Sequence, residues 1–487
     1  MPDINWWTSL PIILLTVTPL VILLLDAIAP QRDPIVSMLL AVVGLTAALF
    51  FTLLVEGTPS ADRDAFGLLH YDTLGLYGAA ICLLAGILLA LLSPRTVRLY
   101  ALPPAEYFAL LVMAVLGMVV VCLGFELLTI FLGVEITAVA FYVLVGLEGN
   151  ARGATEASLK YFVLSSFSSA FLIFGFAFLY AGARGSTMLF DVWNGMVLQD
   201  PPWAELGVAL AVAGFAFKLT LVPFHLYAAD VFEGAPTPVA ALLATGSKVA
   251  GFVALFHLLL PFQRYLTLEL ASMADNVAEI LAILAALSIV VGNVVAVLQR
   301  NIKRMLAYSS IAHGGYMLIA PLALIAGGVR YAEVEAAALV YLLAYVLMSV
   351  AAFGVALTLG ARGERAIDDY AGLGRVAPGL AFAMTVALIS LTGIPLTAGF
   401  VGKFAVFNAG VQAGHAWLVV VALLGSAVSA FYYLRVVVYM YMREPSAEMP
   451  PVEGLTLVQG LGLVLATVPI VLVGLWPKLV LALLAGS

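Results

Sequence analysis

Two lysines stand inside apolar stretches of the sequence that are too long to leave them near water. Lys218 lies within AVAGFAFKLTLV, and Lys248 lies within PVAALLATGSKVAGFVALF. An ammonium group at the centre of a bilayer costs about 2.5–3.5 kcal/mol on insertion scales, so two of them on adjacent helices need a reason. Proton transfer is the chemistry that uses such groups, and we expect it here. The alternative is that either lysine lies nearer the end of its helix, and nearer water, than the apolar run indicates.

Pro223 follows Lys218 by five residues and is predicted to break the helix that carries it. Backbone carbonyls released by a break at membrane depth are tolerated only where they are buried in protein or line a wet cavity. A broken helix beside a buried lysine is therefore typical of an ion path.

Glu135 is the carboxyl group best placed to pair with Lys218. It is the tenth residue of the apolar run 126–146, and no basic residue stands near it in sequence. A lone carboxyl there would stay protonated unless a cation lies beside it. An ion pair about 4 Å apart gains on the order of 4 kcal/mol at an effective dielectric of about 20, enough to set which member is charged. We expect a Glu135–Lys218 pair; the alternative is a protonated Glu135 that only donates a hydrogen bond between helices.

Lys160 opens another apolar run, four residues after Glu156. A lysine that pairs along its own helix or extends toward water is as consistent with this pattern as a functional one. Four serines follow it, and their hydroxyls could carry a water chain or allow close helix packing. They are Ser165, Ser166, Ser168 and Ser169.

Two histidines are candidates because an imidazole takes and releases a proton near neutral pH. His313 lies inside a run, within YSSIAHGGYML, where serines and glycines surround it. His225 comes just after Pro223 and is equally consistent with an interfacial loop residue.

The composition indicates an integral membrane protein. The 487 residues are 64% hydrophobic and 10% charged, and the mean hydropathy is +1.13. So few polar groups cannot cover a soluble globule of this size. Apolar runs of about 20 residues predict helical spans, and the ten-residue alternation of a β-barrel is absent. The sequence has no glycine-rich nucleotide motif and no Cys-x-x-Cys pair, and its five histidines lack the spacing of a haem pair. We therefore expect no cofactor bound by this chain and no nucleic-acid partner.

The runs predict an all-α fold of about fourteen transmembrane helices, two of them broken, at Pro223 and at Gly393 to Pro395. The predicted spans are 8–29, 35–55, 73–93, 106–123, 126–146, 156–181, 204–222, 237–258, 275–297, 302–326, 331–359, 378–409, 416–440 and 455–480.

Basic residues in the loops indicate the orientation. Of the 21 lysines and arginines, eleven belong to odd-numbered loops, counting Lys303 and Arg304 at the start of the tenth span, and five to the even-numbered set, counting Lys478 near the end of the last span. The other five lie deeper inside spans. Because cytoplasmic loops carry the excess of positive charge, the odd loops are expected in the cytoplasm. Both termini are then on the periplasmic side of the inner membrane.

A short repeat relates the two broken spans. AGFAFKL at 213–219 recurs as AGFVGKF at 398–404, which places Lys403 at the position of Lys218, 185 residues and five helices later. Because five is odd, the second copy must be inverted in the membrane, as in many secondary transporters. The predicted division is 1–105, a first repeat 106–260, a second repeat 275–441, and a last helix in 455–487.

These motifs resemble the antiporter-like membrane subunits shared by respiratory complex I and the Mrp cation/proton antiporters. The segment VPFHLYAADVFEGAPTPVAALLATGSKVAGF is most similar to the N-type subunits of the proton-pumping NADH:quinone oxidoreductase, and the resemblance extends over nearly the whole chain. It implies four midplane residues: a glutamate on the fifth helix, lysines on the seventh and eighth, and a titratable group on the twelfth. The matching positions are Glu135, Lys218, Lys248 and Lys403, with Lys160 and His225 at two further family positions.

Two features separate the branches of this family. The M-type and Mrp D-type relatives typically carry a glutamate where this sequence has Lys403. The L-type and Mrp A-type relatives carry a long lateral helix after the fourteenth span, for which a chain ending at Ser487 would leave no room. Both features favour the N-type.

The resemblance also implies partners and cofactors. The partners are the other membrane-arm subunits of complex I, including sister antiporter-like subunits, together with the lipid bilayer and protons. NADH, FMN, iron–sulfur clusters and quinone would be used in other subunits. The alternatives are an autonomous or Mrp-type Na⁺ or K⁺/H⁺ antiporter subunit and a scaffold that has lost pumping, which the glutamate and three lysines weigh against.

Overall fold

The computed structural model describes residues 5–30, 33–58, 63–148, 152–199, 202–260, 262, 268–359, 366–445 and 455–478, which are helical nearly throughout. A two-stranded antiparallel ribbon, β1 (Asp64–Ala65) and β2 (Leu69–His70), precedes the third helix. The helices are α1 (Trp6–Ile28), α2 (Pro34–Val55), α3 (Thr73–Leu92), α4 (Pro94–Leu99), α5 (Pro104–Leu123), α6 (Leu127–Gly146), α7 (Arg152–Gly182), α8 (Leu189–Gln199), α9 (Pro202–Lys218), α10 (Ala228–Gly234), α11 (Thr237–Ala244), α12 (Gly246–Leu259), α13 (Leu268–Leu298), α14 (Ile302–Met317), α15 (Ile319–Ala326), α16 (Tyr331–Leu359), α17 (Leu373–Val376), α18 (Pro378–Thr392), α19 (Ala398–Gln412), α20 (Ala416–Met442) and α21 (Leu457–Leu475), with a 3₁₀ turn at Ile367–Tyr370.

Twelve segments of the described chain are long and apolar enough to cross a membrane. They correspond to twelve of the fourteen predicted spans. The other two, the seventh and the twelfth, are the spans predicted to be broken, and each consists of two shorter helices. The prediction of an all-α polytopic fold with broken helices is therefore confirmed. Both chain ends, 1–4 and 479–487, lie outside the described residues.

The seventh span breaks earlier than the sequence predicted. Helix α9 ends at Lys218, whereas the predicted helix reached residue 222, and the chain becomes helical again at Ala228. The prediction was wrong because Thr220 takes a left-handed conformation with φ +57°, which ends the helix before Pro223 is reached. Lys218 is thus the last residue of its helix and not an interior residue.

The break in the twelfth span lies where it was predicted. Helix α18 ends at Thr392 and α19 begins at Ala398. Gly393, with φ +88°, and Leu396, with φ +71°, turn the chain between them.

Two further interruptions were not predicted. Thr245, with φ −109° and ψ −80°, separates α11 from α12, three residues before Lys248. Leu318 separates α14 from α15. The segments 237–259, 302–326 and 331–359 are almost wholly buried and form the centre of the molecule, whereas α1 and α21 expose much of their apolar surface. The inverted relation of the two repeats, and the division into four segments, stay predictions.

Candidate functional site

Lys403 lies against the end of the helix before the break. The last carbonyls of α18 have no partner within that helix. The Lys403 Nζ donates hydrogen bonds to the carbonyls of Leu391, at 3.0 Å, and Thr392, at 2.9 Å, and to Ser426 Oγ, at 2.8 Å. The partial negative charge at a helix C-terminus favours a cation there. Lys403 is only 4% exposed, so these dipoles hold its ammonium group; no carboxylate oxygen of the described residues lies within 4.0 Å of its Nζ.

Two neighbours shape the space around this ammonium. A Cβ atom at Gly393 would come within 2.8 Å of the Lys403 Cδ, so the lysine occupies room that only glycine leaves free. The Lys403 Nζ lies over the face of the Tyr316 ring, 4.7 Å from its centroid, which is a distance suited to a cation–π contact.

Lys248 is wholly buried in the first turn of α12. Its Nζ donates a hydrogen bond to the Ser310 carbonyl of α14. Gly314 borders the nitrogen, since a Cβ there would lie 3.4 Å from it, an ordinary van der Waals distance. The Tyr345 hydroxyl donates to Ser310 Oγ at 2.8 Å and completes this polar group. Within the described chain no carboxylate oxygen lies within 4.0 Å of Lys248 Nζ.

His313 lies between Lys248 and Lys403. Its ring is 1% exposed, its Nδ1 lies 2.8 Å from the Tyr341 hydroxyl oxygen, and it interacts electrostatically with both lysines. An imidazole in this position can exchange protons with groups on either side. The structure therefore places His313, the candidate of the tenth span, next to Lys248 and Lys403.

Glu135 and Lys218 are neighbours without direct contact. The Lys218 Nζ donates a 2.6 Å hydrogen bond to Ser165 Oγ, and the Ser169 hydroxyl donates to the Glu135 carboxylate. Ser169 Oγ also lies 3.2 Å from the Ser165 carbonyl. The two charges interact electrostatically, but no Glu135–Lys218 ion pair within 4.0 Å occurs among the described residues. The expected direct contact is therefore replaced by a serine bridge.

A small cavity extends from Lys218 toward the next lysine. Tyr161, Phe215, Lys218 and Ser247 are among the residues that line it, and it is large enough for about one water molecule. Because Ser247 precedes Lys248, the cavity connects the lysine that ends α9 with the turn that carries the second lysine.

Lys160 belongs to a different cluster. Its Nζ lies 2.7 Å from Glu156, four residues earlier, and 2.7 Å from Asp230. Arg304 bonds Asp230 at 2.8 Å and Glu233 at 2.6 Å. The Lys160 side chain is 40% exposed, so the alternative of a lysine paired along its own helix describes its contacts, and the structure does not bring it to Lys218.

His225 is half-buried in the segment between α9 and α10. Its Nδ1 has no hydrogen-bond partner among the described residues, and none of its described contacts reaches the lysines. The structure therefore does not join His225 to the row formed by Glu135, Lys218, Lys248, His313 and Lys403.

Several residues of the site were missed in the sequence. Tyr341 and Tyr345, which bond His313 and Ser310, stand four residues apart in an otherwise apolar segment, and that spacing places both hydroxyls on one helix face. The spacing is a signal that could have found them. Within the described ranges no three His, Cys, Asp or Glu side chains gather closely enough to hold a metal ion.

The fold and this row of buried cations define the class of protein. The family model described as NADH:quinone oxidoreductase/Mrp antiporter, TM matches residues 125–429. The chain belongs to this family of antiporter-like membrane proteins.

Individual relatives show which branch of the family the chain resembles most. The chain is 37% identical over 485 residues to NADH-quinone oxidoreductase subunit N of Trichlorobacter lovleyi, which covers 98% of this chain and 96% of that protein. A chain of respiratory complex I from Thermus thermophilus with bound aureothin superposes with a TM-score of 0.82 at 34% identity, covering 98% of this chain and 100% of that one. These matches confirm the resemblance to N-type subunits. A chain of the Mrp complex from a Dietzia species has a TM-score of 0.82 at 18% identity, covers 99% and 97% of the two chains, and shows a shared fold alone.

Proposed function

We propose that this chain is a non-redox membrane-arm subunit of the proton-translocating NADH:quinone oxidoreductase, and that it moves protons along Glu135, Lys218, Lys248, His313 and Lys403. The relatives that carry the name subunit N support the assignment to that enzyme. The proton path is supported by the geometry of the buried row.

The observation that carries the proposal is a set of three membrane-embedded lysines whose ammonium groups, among the described residues, bond hydroxyls and carbonyls and no carboxylate. Ser165 holds Lys218, the Ser310 carbonyl holds Lys248, and the α18 terminus holds Lys403. A structural role would be served better by carboxylate partners, because a buried charge without a counter-ion is strongly destabilising. Lysines without such partners can lose and regain a proton, and this property suits a relay.

The order of the groups divides the transfer into steps between neighbours in the row. A proton on Lys218 Nζ leaves through the cavity toward Lys248 when Glu135 no longer stabilises the ammonium form. Lys248 passes a proton to the His313 ring, and His313 releases one to Lys403. In each step one N–H bond breaks and another forms, so charge moves along the row while the helices stay in place.

This role requires partners that supply energy. In the proposed assembly the other membrane-arm subunits transmit the free energy released by quinone reduction. NADH, FMN, iron–sulfur clusters and quinone are bound by other subunits of the complex. The chain would lie in the inner membrane with both termini on the periplasmic side.

The main competing function is an autonomous or Mrp-type cation/proton antiporter. We expect the purified chain in proteoliposomes to show no Na⁺- or K⁺-dependent proton flux, and the assembled oxidoreductase to lose pumping when Glu135→Gln is introduced. Robust cation-dependent flux from the chain alone, abolished by Glu135→Gln, would establish the antiporter instead.

A further inference from the structure

A second group of titratable side chains gathers at the ends of three helices, away from the lysine row. Asp72 stands immediately before α3, where its carboxylate caps the helix by accepting the Gly75 N–H at 2.8 Å. His257 lies in the last turn of α12, and Glu335 is the fifth residue of α16. No part of the proposed relay uses these three residues.

The three side chains interact with one another. His257 Nε2 lies 3.0 Å from Asp72 Oδ2, across 185 positions of sequence. The Glu335 carboxyl accepts a hydrogen bond from the Leu74 N–H at the start of α3 and interacts electrostatically with both Asp72 and His257. The Tyr331 hydroxyl donates to Glu335 at 3.3 Å. One carboxylate therefore bonds the imidazole, and a second carboxyl group interacts with it electrostatically.

The other nitrogen of that imidazole is available. His257 is 1% exposed, and its buried Nδ1 has no hydrogen-bond partner in the described parts of the chain. Buried polar atoms are nearly always paired, so an unpaired one needs an explanation. A ring that bonds a carboxylate through Nε2 and leaves Nδ1 free is arranged to accept a proton on one side and donate one on the other.

From His257 the titratable groups lead outward. His70 interacts electrostatically with Asp72, and its Nδ1 lies 2.8 Å from Asp64. Side-chain exposure rises along this order, from 1% at His257 and 25% at Asp72 to 30% at His70 and 58% at Asp64. The series connects a buried ring with the surface in four groups.

The same helices also reach the lysine row. Lys248 and His257 lie on α12 nine residues apart, which corresponds to about 13 Å along a helix. Glu335 and Tyr341 share α16 in the same way. A small cavity lies between the lysine row and the His257 group. Its lining includes Phe252, Phe256 and Tyr341, and Tyr341 is its polar member. A mostly apolar layer of this kind prevents free leakage of protons, and it leaves the Tyr341 hydroxyl between the lysine row and the His257 group.

We propose that Asp72, His257 and Glu335 form an outer proton site, which exchanges protons between the buried row and the periplasmic surface through His70 and Asp64. The inference rests on the proposed function, because it assigns the row an outlet. In the transfer, a proton leaves an N–H bond of the buried row and binds His257 Nδ1, while the Nε2–H bond breaks and an O–H bond forms at Asp72. Asp72, directly or after exchange with Glu335, then releases the proton outward, and rotation of the ring restores the tautomer without returning a proton.

The electrostatics at Asp72 suit a carboxylate that passes protons on. Burial raises its pKa, but the charge and the hydrogen bond of His257, the Gly75 N–H and the charge of His70 together bring the pKa below its usual value. Asp72 therefore returns to its ionised form after each transfer. Glu335 is the acidic group that faces it from α16.

The test uses the assembled oxidoreductase in proteoliposomes with NADH outside, so that the periplasmic face lines the lumen, whose pH is set beforehand and which serves as the outer compartment. Asp72→Asn removes the titrating group and keeps the helix cap, since Asn and Asp cap helices equally well. Asp33→Asn, at the cap of α2, is the matched control, because Asp33 accepts the Ile35 N–H in the same way. Glu335→Gln has its control in Glu333→Gln, two residues away on the surface.

We expect Asp72→Asn and Glu335→Gln to slow coupled pumping roughly tenfold or more, since a positioned proton-transfer group contributes about 10²–10⁴ in rate. Both should also flatten the dependence of pumping on the pH of the outer compartment, which a merely structural role would not change. Asp72→Glu should restore part of that dependence, and the two controls should match the parent. Should Asp72→Asn fail to assemble on native gels, Glu335→Gln carries the test.

Lys218→Ala, measured alongside, separates the two proposals. If Lys218→Ala abolishes pumping while Asp72→Asn and Glu335→Gln keep the parent rate and pH profile, the outer site is wrong and the relay stands. If Lys218→Ala pumps normally, the proposed function itself fails.

Discussion

Glu135 and Lys218 are joined through two serines of one helix and do not touch. Ser165 and Ser169 stand four residues apart on α7, so both hydroxyls lie on the face that meets α6 and α9. A hydroxyl both donates and accepts, and it can therefore transmit the charge state of Glu135 to Lys218 without closing an ion pair. The separation of the two charges is set by a continuous helix.

The serine bridge can be tested by removing its hydroxyls. We expect Ser165→Ala and Ser169→Ala each to slow coupled pumping roughly twofold to tenfold, as one hydrogen bond contributes about 0.5–1.5 kcal/mol. Ser168→Ala is the control, because in the described chain its hydroxyl bonds the Gly214 carbonyl of α9, at 2.9 Å, and neither Glu135 nor Lys218. Proton-pumping rates in membranes with equal amounts of assembled complex would decide, and parent rates in both bridge variants would contradict the role of the serines.

The room beside Lys403 gives a second prediction. Gly393→Ala forces a side chain into the left-handed region at about 1–2 kcal/mol and places its Cβ against the lysine stem. Gly414→Ala imposes similar backbone strain, with φ +83°, where no atom lies within 4 Å. We expect both variants to lower thermal stability by a similar amount, and Gly393→Ala alone to impair pumping. Equal pumping by the two variants would show that the position of the Lys403 side chain does not matter.

His313 is expected to be the link between the two buried lysines. His313→Gln keeps a polar side chain and removes proton exchange, so pumping should fall about 10²-fold, the lower end of the range for a positioned proton-transfer group. Tyr341→Phe, which removes the hydroxyl at Nδ1, should give a smaller loss. His415→Gln, outside the row between α19 and α20, should behave as the parent. Normal pumping by His313→Gln in an assembled complex would remove this residue from the path.

The orientation is open to labelling in intact cells. Arg184 is exposed after α7 in an even-numbered loop, and Glu444, whose side chain is 88% exposed, follows α20 in an odd-numbered loop. A membrane-impermeant thiol reagent should modify Arg184→Cys and not Glu444→Cys until the cells are opened. The native cysteines, Cys82 and Cys122, are buried and should give little background. The reverse labelling pattern would invert the proposed orientation.

Local sequence rules predicted the parts of the fold that depend on neighbours in sequence. The turn at Gly393 to Pro395 follows from one glycine and one proline, and the spans follow from apolar length. The end of α9 was misplaced because the chain leaves the helix at Thr220, which takes a left-handed conformation that the position of Pro223 does not indicate.

The site was predicted less completely, because its contacts join distant residues. The sequence marks Glu135 and Lys218 as unusual but does not show that serines separate them. His257 and Asp72 stand 185 residues apart, and each alone resembles an ordinary helix-end residue. Only the packing of α3, α12 and α16 brings such groups together. Lys160 shows the opposite case, where spacing from Glu156 already indicated the pair that the structure contains.

The most direct measurement is NADH-driven proton pumping by an assembled complex that carries Lys218→Ala, with Lys218→Arg beside it. We expect both variants to assemble on native gels and to keep NADH oxidation by an artificial acceptor, because the fold tolerates a neutral side chain at the end of α9. Pumping should be lost in Lys218→Ala, where no group remains to carry the proton, and in Lys218→Arg, whose guanidinium does not release one. Full pumping in an assembled Lys218→Ala complex would contradict a proton path through this lysine.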